Sequence, residues 1–280
     1  MSDPAKLDPR FTLARPDLAA ASLEGQVPAA AYRPTTAYRC IAPAAAVRSA
    51  PDAAVEQCDQ LLFGEIFDVL EDDGGWAWGQ ARRDGYVGFV AMAQLAPGAP
   101  LPTHRIGALR AYAFAAPDIK STPVGLYSLN ALVRVEGEEG RFSRVLDSGW
   151  IVTSQLSPVG RFEADPAAVA ERFLGAPYQW GGRESLGLDC SGLVQQALFA
   201  CGLACPRDSD QQALIGRPIA HGELGRADLV FWRGHVGMML DGARIIHANA
   251  RDMAVSIEPL ADALARIGPA SAFRRVGLRA

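Results

Sequence analysis

Short runs of alternating apolar and polar residues, separated by turn residues, fill the chain from Ala37 to about residue 95. The turns at Asp73-Gly74-Gly75 and Asp84-Gly85 are typical of hairpins that join antiparallel strands. Runs this short, joined by such turns, predict a small β-barrel, which we assign to residues 32–97.

A second set of short apolar runs follows a proline-rich break at residues 96–103. It repeats the order of the first set: an Ala/Pro opening, an apolar run, an acidic turn with glycine and an aromatic strand. The repetition predicts a second small β-barrel at residues 104–160. Residues 1–31 are rich in Ala, Pro and charge, and we interpret them as an N-terminal arm with a short helix between Asp17 and Leu23.

Helical and strand patterns are mixed in residues 165–280, which predicts an α+β domain. Asp165-Pro166 combines an N-cap with a proline in the first helical turn. A second helix is predicted to begin at Asp189 or Cys190, because apolar residues then recur at helical spacing until Gly202. The later segments are three strands, DLVFWRG, HVGMML and RIIHANA, and an amphipathic segment around Leu260 to Ile267.

Composition and charge exclude several classes of function. The 280 residues carry a formal net charge of -4, which does not suit a nucleic-acid binder. No apolar run approaches the roughly 18 residues that cross a bilayer, so no membrane partner is expected. The N-terminal sequence has acids and prolines where a signal peptide would have a basic flank and an apolar core. We therefore expect a cytoplasmic protein.

One cysteine differs from the other four in its local environment. Cys201 and Cys205 lack the second pair of ligands that a zinc site requires, and neither a metal nor a cofactor is predicted. Cys190 is placed at a helix start, where free N–H groups and the helix dipole favour a thiolate. It is the candidate nucleophile, and its backbone N–H is a candidate oxyanion donor. The five cysteines are Cys40, Cys58, Cys190, Cys201 and Cys205.

A nucleophilic cysteine needs an imidazole that accepts its proton and a third group that orients the imidazole. The candidates are His235 and His247, which lie in neighbouring strand segments, whereas His104 lies in the proline-rich linker and His221 in a polar turn.

The turn between the two strands decides whether the candidate rings share a face of the sheet. A three-residue loop at 240–242 with a left-handed Gly242 would pair Met239 with Ala243 and set the two histidines opposite each other. A two-residue turn at Asp241-Gly242 would put them on opposite faces. The longer loop predicts an imidazole pair that faces the helix of the candidate nucleophile.

The last 115 residues or so resemble the NlpC/P60 family of papain-like cysteine peptidases. Three motifs stand in the order of that family: Tyr178 to Gly182 (YQWGG), Asp189 to Gly192 (DCSG) and His235 to Gly237 (HVG). The resemblance implies that Cys190 is the nucleophile, that His235 is the general base and acid, and that His247 orients His235. SH3-like modules commonly precede this domain. The implied fold is therefore multidomain α+β, with two small SH3-like β-barrels followed by a papain-like α+β catalytic domain.

Members of the family cleave γ-D-glutamyl bonds in bacterial cell-wall peptides, and the chain is most similar to the subgroup that trims free murein peptides during recycling. This implies a cysteine endopeptidase that hydrolyses the γ-D-glutamyl-diamino acid bond of murein tri- or tetrapeptides with a free N-terminal L-Ala. The segments LLFGE and DGYVG resemble those that bind the free amine in that subgroup, which implies Glu65 and Tyr86 as ligands. A solvated turn residue is the alternative interpretation of Glu65.

The same resemblance implies further residues at the substrate site. Tyr178 and Trp180 would form the wall of the cleft, and Asp189 has a purely local explanation as an N-cap. Two other functions remain open: an exported peptidoglycan hydrolase that acts on intact wall, and a catalytically inactive SH3-like interaction protein. The implied substrate-binding residues are Glu65, Tyr86, Tyr178, Trp180, Asp189, Ser191, Asp208 and Ser209.

Overall fold

Strands predominate in the structure, a computed structural model that describes residues 7–277. The chain divides into two units, Met1–Pro102 and Thr103–Ala280. Among the described residues, no helix has the length and apolar character that crossing a membrane requires.

The first unit is built on one antiparallel sheet of seven strands. Within its described residues, the strands are β1 (Ala19–Ala20), β2 (Tyr32–Arg33), β3 (Thr36–Cys40), β4 (Ala44–Arg48), β5 (Gln57–Leu62), β6 (Ile66–Asp73), β7 (Trp76–Ala81), β8 (Val87–Ala91) and β9 (Leu95–Pro97). β1 and β2 pair in parallel, and the sheet order is β5-β4-β8-β7-β6-β3-β9. Gly74, Gly75 and Gly85 have positive φ angles, which confirms both predicted turns.

The prediction of a short helix between Asp17 and Leu23 is wrong. Ala19 and Ala20 form a strand, and a single 3₁₀ turn, Ala21–Leu23, follows. The Ala19 N–H donates to the Ala31 carbonyl at 3.0 Å, so pairing with a distant strand replaces the bonds of a helical turn. Leu13 and Leu18 pack with the first sheet in a buried cluster that also contains Trp78.

The second unit begins with a module of eight strands and two sheets. Its strands are β10 (His104–Ile106), β11 (Arg110–Phe114), β12 (Pro123–Ser128), β13 (Leu132–Val133), β14 (Val135–Glu139), β15 (Phe142–Val145), β16 (Trp150–Val152) and β17 (Leu156–Pro158). The sheet orders are β13-β10-β17 and β12-β11-β16-β15-β14. His104, placed in a linker by the sequence, begins β10. The modules of both units end with a strand, a 3₁₀ turn and a strand; the two turns are Met92–Gln94 and Thr153–Gln155.

The rest of the second unit is an α+β domain around a six-stranded antiparallel sheet. Its elements are α1 (Pro166–Glu171), β18 (Arg183–Glu184), β19 (Gly187–Leu188), α2 (Cys190–Ala200), α3 (Ser209–Gln212), β20 (Arg217–Pro218), β21 (Leu229–Trp232), β22 (His235–Met239), β23 (Arg244–Asn249), β24 (Ala254–Pro259), α4 (Leu260–Ile267) and β25 (Ala272–Arg275). The sheet order is β20-β25-β21-β22-β23-β24. The predicted helices and the three predicted strands are confirmed.

The buried helix α2 packs on β22 and β23 and forms the centre of this domain. Leu193 and Ala197 from the helix share one apolar cluster with Val236 and Ile246 from the sheet. The helix therefore presents its first residue to the start of β22.

Candidate active site

Cys190 is the first residue of α2, and Asp189 is its N-cap, as the sequence predicts. The Asp189 carboxylate accepts a hydrogen bond from the Gly192 N–H at 2.8 Å, which fixes the first turn. Cys190 is 7% exposed, and the Val236 backbone N–H is hydrogen-bonded to its sulfur. The thiol therefore lies against β22, at the residue that follows His235 in the sequence.

Arg207, which the sequence analysis missed, holds this helix start in place. Its buried guanidinium contacts both oxygens of Asp189, at 3.0 and 2.7 Å, and the Ser191 hydroxyl at 2.8 Å. Asp189 also accepts a hydrogen bond from the Gly181 N–H at 2.9 Å. Both carboxylate oxygens thus have donors within the chain, which supports the local interpretation of Asp189. Its contact with substrate stays a prediction.

The loop between β22 and β23 differs from the predicted one. Met239 pairs with Ile245 instead of Ala243, residues 240–243 connect the two strands, and Gly242 does not adopt a left-handed conformation. The Asp241 carboxylate closes the loop instead, accepting hydrogen bonds from two backbone N–H groups of residues 243 and 244 at 2.8 Å each.

The two candidate histidines nevertheless share one face of the sheet. The register is shifted by two residues, and such a shift preserves side-chain parity. His235 Nε2 lies 2.9 Å from His247 Nδ1, and the ring centroids are 5.1 Å apart. The structure thus brings together the imidazole pair that the sequence predicts.

Glu258 and Arg266 extend this pair, and the sequence analysis missed both. His247 is fully buried, and its Nε2 lies 2.8 Å from Glu258 Oε1, although its N–H is not aligned on that oxygen. The Glu258 carboxylate also accepts a hydrogen bond from Arg266 Nη1 at 2.7 Å. Glu258 follows Ser256, the cross-strand partner of His247, by two positions, so the alternation of β24 could have identified it.

Burial controls the ionisation of the candidate pair. It raises the pKa of the Cys190 thiol to about 12, with a further contribution from the negative charge of Asp189. It also lowers the pKa of His235 to about 4, and the neighbouring His247 adds to this effect. The predicted lowering of the thiol pKa by the helix start is therefore wrong, because desolvation and the charge of Asp189 outweigh the backbone N–H groups of Val236 and Ser191, which lower that pKa. At neutral pH the free site holds a neutral thiol and a neutral imidazole.

Tyr178 is close to the nucleophile, whereas Trp180 is on the surface. Burial raises the pKa of the Tyr178 phenol, and the charges of Cys190 and Asp189 raise it further. The phenol is therefore a neutral hydrogen-bond donor beside the thiol. Trp180 is 60% exposed, and its place in the wall of the cleft stays a prediction.

The segment that follows Cys205 is tied to the nucleophile helix. Gln212 Nε2 donates to the Ser191 carbonyl at 3.0 Å, and Ser191 is itself buried. Asp208 precedes the short helix α3, and its backbone N–H donates to the Gln211 side chain at 3.2 Å. Asp208 and Ser209 are half-buried, and their contact with substrate stays a prediction.

Glu65 and Tyr86 both lie in the first unit. Glu65 is 1% exposed, 2.9 Å from the Arg83 guanidinium, and it accepts a hydrogen bond from the Leu62 N–H at 3.0 Å. The alternative of a solvated turn residue is therefore wrong. Tyr86 is buried edge-on against Phe11. Recognition of the substrate amine by either residue stays a prediction.

The chemical capacity of the site rests on three groups: the buried thiol of Cys190 against the start of β22, the imidazole of His235, which is the first residue of that strand, and the imidazole of His247, which contacts it. Within residues 7–277, no three His, Cys, Asp or Glu side chains are grouped so that they could hold a metal ion. The arrangement suits nucleophilic attack by sulfur with proton transfer to nitrogen.

Comparisons with known proteins agree with this chemistry. The model of the NlpC/P60 family matches residues 175–266, and that of the bacterial dipeptidyl-peptidase SH3 domain matches residues 47–95. The gamma-D-glutamyl-L-lysine dipeptidyl-peptidase of Bacillus subtilis is 28% identical over 226 residues, 73% of this chain and 76% of the relative. Dipeptidyl-peptidase 6 of Lysinibacillus sphaericus is 27% identical over 249 residues, 75% of this chain and 86% of the relative.

A solved structure shares the fold. The crystal structure of an NlpC/P60 family protein from Bacillus cereus has a TM-score of 0.77 at 22% identity, and the match covers 87% of this chain and all of that one. The family match at 175–266 includes Cys190, His235 and His247. The chain thus carries an NlpC/P60 peptidase domain preceded by a bacterial dipeptidyl-peptidase SH3 domain.

Proposed function

We propose that the protein hydrolyses the γ-D-glutamyl-diamino acid bond of free murein tri- or tetrapeptides and releases L-Ala-γ-D-Glu from their amino end. The observation that carries the reaction type is the buried thiol of Cys190, hydrogen-bonded to the backbone N–H of Val236, the residue after His235, whose ring lies 2.9 Å from His247. The substrate class is supported by the name of the B. subtilis relative and by the SH3 match.

In the proposed mechanism, the proton leaves the thiol as the sulfur attacks. Cys190 Sγ bonds to the γ-carbonyl carbon while His235 accepts the thiol proton, since a thiol with a pKa of about 12 is not ionised beforehand. The Cys190 backbone N–H and the Tyr178 hydroxyl stabilise the resulting oxyanion. His235 then gives its proton to the leaving amine, and the carbon–nitrogen bond breaks. Water, deprotonated by His235, then attacks the acyl carbon, the carbon–sulfur bond breaks to release the dipeptide, and the Cys190 sulfur takes the proton back from His235.

The proposal extends to architecture and location. It includes a papain-like arrangement of residues 165–280, SH3-like barrels at 32–97 and 104–160, and a role in recycling. Because recycled peptides are free in the cytoplasm, the proposed location is cytoplasmic, which cell fractionation tests.

Incubation with L-Ala-γ-D-Glu-diaminopimelate, followed by mass spectrometry, tests the activity. We expect the dipeptide and free diaminopimelate from the wild type and from Cys58→Ala, a thiol of the first unit, and no product from Cys190→Ala. An N-acetylated peptide should react at least tenfold more slowly if the free amine is required. Release of peptides from intact sacculi at a comparable rate would instead favour the wall hydrolase. Cleavage by Cys190→Ala would overturn the proposal.

A further inference from the structure

We propose that Glu258 is a positioning residue that fixes the tautomers of His247 and His235, so that the basic lone pair of His235 lies on Nδ1. The inference rests on the proposed function, in which His235 accepts the thiol proton. It follows from two contacts that form a chain: His235 Nε2 to His247 Nδ1 at 2.9 Å, and His247 Nε2 to Glu258 Oε1 at 2.8 Å.

A count of the protons in this chain assigns each ring nitrogen. An ionised carboxylate only accepts hydrogen bonds, so the His247 nitrogen beside Glu258 must carry the N–H. Burial lowers the pKa of His247, so its neutral ring has one proton, and Nδ1 holds a lone pair. His235 Nε2 must then donate to that lone pair. Since the His235 ring is also neutral, its Nδ1 is left without a proton and can receive one.

The charge of Glu258 sets the direction of this chain. The Glu258 side chain is 14% exposed, and the Arg266 guanidinium contacts both carboxylate oxygens and lowers the pKa of the carboxyl group. Glu258 therefore remains an acceptor at neutral pH. The other charged groups around the two rings are Asp189, Arg251 and Asp252.

Without Glu258 the reverse tautomer becomes accessible. His247 would then carry its proton on Nδ1 and donate to His235 Nε2, and the proton of His235 would move to Nδ1. In that state His235 has no free nitrogen for the thiol proton. The carboxylate therefore acts through His247 on the general base and does not touch the reacting atoms.

The first test measures the tautomers directly in the free enzyme, without substrate. Two-bond ¹H–¹⁵N correlation spectra of histidine-labelled protein separate protonated from unprotonated ring nitrogens. We expect wild-type spectra with Nε2–H on both His235 and His247, and a mixture of tautomers in Glu258→Gln and Glu258→Ala. The matched control is Glu171→Gln. This change removes a carboxylate outside the site, which pairs with Arg226 at 2.8 Å, and it should leave the spectra unchanged.

The second test separates positioning from substrate binding. Glu258→Gln and Glu258→Ala should lower kcat at least about tenfold and change KM less than twofold, as expected for partners that orient a catalytic group. The rate of Cys190 alkylation near neutral pH should fall in parallel, and Glu258→Asp should restore part of both rates. If the Glu258 variants keep wild-type tautomers and alkylation rates, the inference fails. If the wild type cleaves no γ-D-glutamyl peptide but the tautomers of the Glu258 variants shift as expected, only the proposed function fails.

Discussion

At the residue scale, the site depends on charges that lie inside the protein. Arg207 is 1% exposed and neutralises the buried Asp189 carboxylate through two contacts. Removing one partner of a buried ion pair leaves the other charge without compensation, which costs more than the pair contributes. An exposed pair lacks this penalty, because water solvates the group that is left.

Arg207→Met should therefore lower the free energy of unfolding by about 3–5 kcal/mol. The control is Arg226→Met, which removes the contacts of a partly exposed arginine with Asp165 and Glu171 and should cost less than about 1 kcal/mol. Urea unfolding followed by fluorescence measures both. Equal losses in the two variants would contradict the role assigned to Arg207.

His235 should make the protein less stable in mild acid. Its pKa is about 4 in the folded state against 6.5 in an ordinary environment. Above about pH 6.5 both states are neutral, and the full stability is present. As the pH falls towards 4, the unfolded chain binds a proton that the folded site does not, so roughly 3 kcal/mol is lost.

His235→Gln should remove most of this acid-induced loss. The measurement is the difference in unfolding free energy between about pH 7.5 and about pH 4.5 for the wild type, His235→Gln and the control His221→Gln, which alters a histidine outside the site. An identical difference in the wild type and His235→Gln would show that the low pKa of His235 does not contribute.

At the scale of elements, the position of the nucleophile depends on how closely α2 approaches the segment before it. A Cβ atom at Gly192 would overlap the Gly182 carbonyl oxygen and lie 3.1 Å from Asp189 Oδ1. Alanine normally favours a helix over glycine by about 1 kcal/mol, so a steric cost must exceed that gain to be visible.

Gly192→Ala should lower the unfolding free energy by at least about 2 kcal/mol and abolish peptide cleavage, because the first turn of α2 must move away with Cys190. Gly222→Ala is the matched control, since a Cβ atom at Gly222 meets no atom within 4 Å. Its stability should stay within about 0.5 kcal/mol of the wild type. Full activity in Gly192→Ala would refute the close-packing argument.

Local patterns in the sequence predict these elements well and their environments poorly. The shared face of His235 and His247 is one of the two outcomes that the sequence leaves open, whereas the start of α2 at Cys190 follows from periodicity alone. The loop register does not, because the side chain of Asp241 replaces the expected left-handed glycine. The role of Arg207 and the raised pKa of Cys190 both result from burial by residues that are distant in the sequence. A local sequence pattern contains no information on such burial.

At the scale of the whole molecule, the module of strands β10–β17 is continuous with the catalytic domain. Leu129 belongs to the apolar cluster that surrounds α2. Asn130, fully buried with a φ of 70°, donates to the carbonyl and the side-chain oxygen of Gln196 at 2.9 Å each. Arg105 donates to the Ala200 carbonyl at the end of the helix. The helix that carries the nucleophile is therefore anchored by a module outside the family match at 175–266.

Variants of Asn130 separate the contribution of its side-chain amide from that of its left-handed backbone conformation. Asn130→Gly keeps the left-handed backbone accessible but removes the amide, so it should cost about 2 kcal/mol of unfolding free energy, the penalty for leaving buried acceptors without a donor. Asn130→Ala should cost about 1 kcal/mol more, because alanine resists a positive φ. The double variant Asn130→Gly/Gln196→Ala should lose less stability than the sum of the two single variants. Gln196→Ala already removes one of the two oxygens to which the Asn130 amide donates, and only the backbone carbonyl of residue 196 remains. Wild-type stability of Asn130→Gly would show that the amide does not anchor α2, and strict additivity would show that it acts independently of the Gln196 side chain.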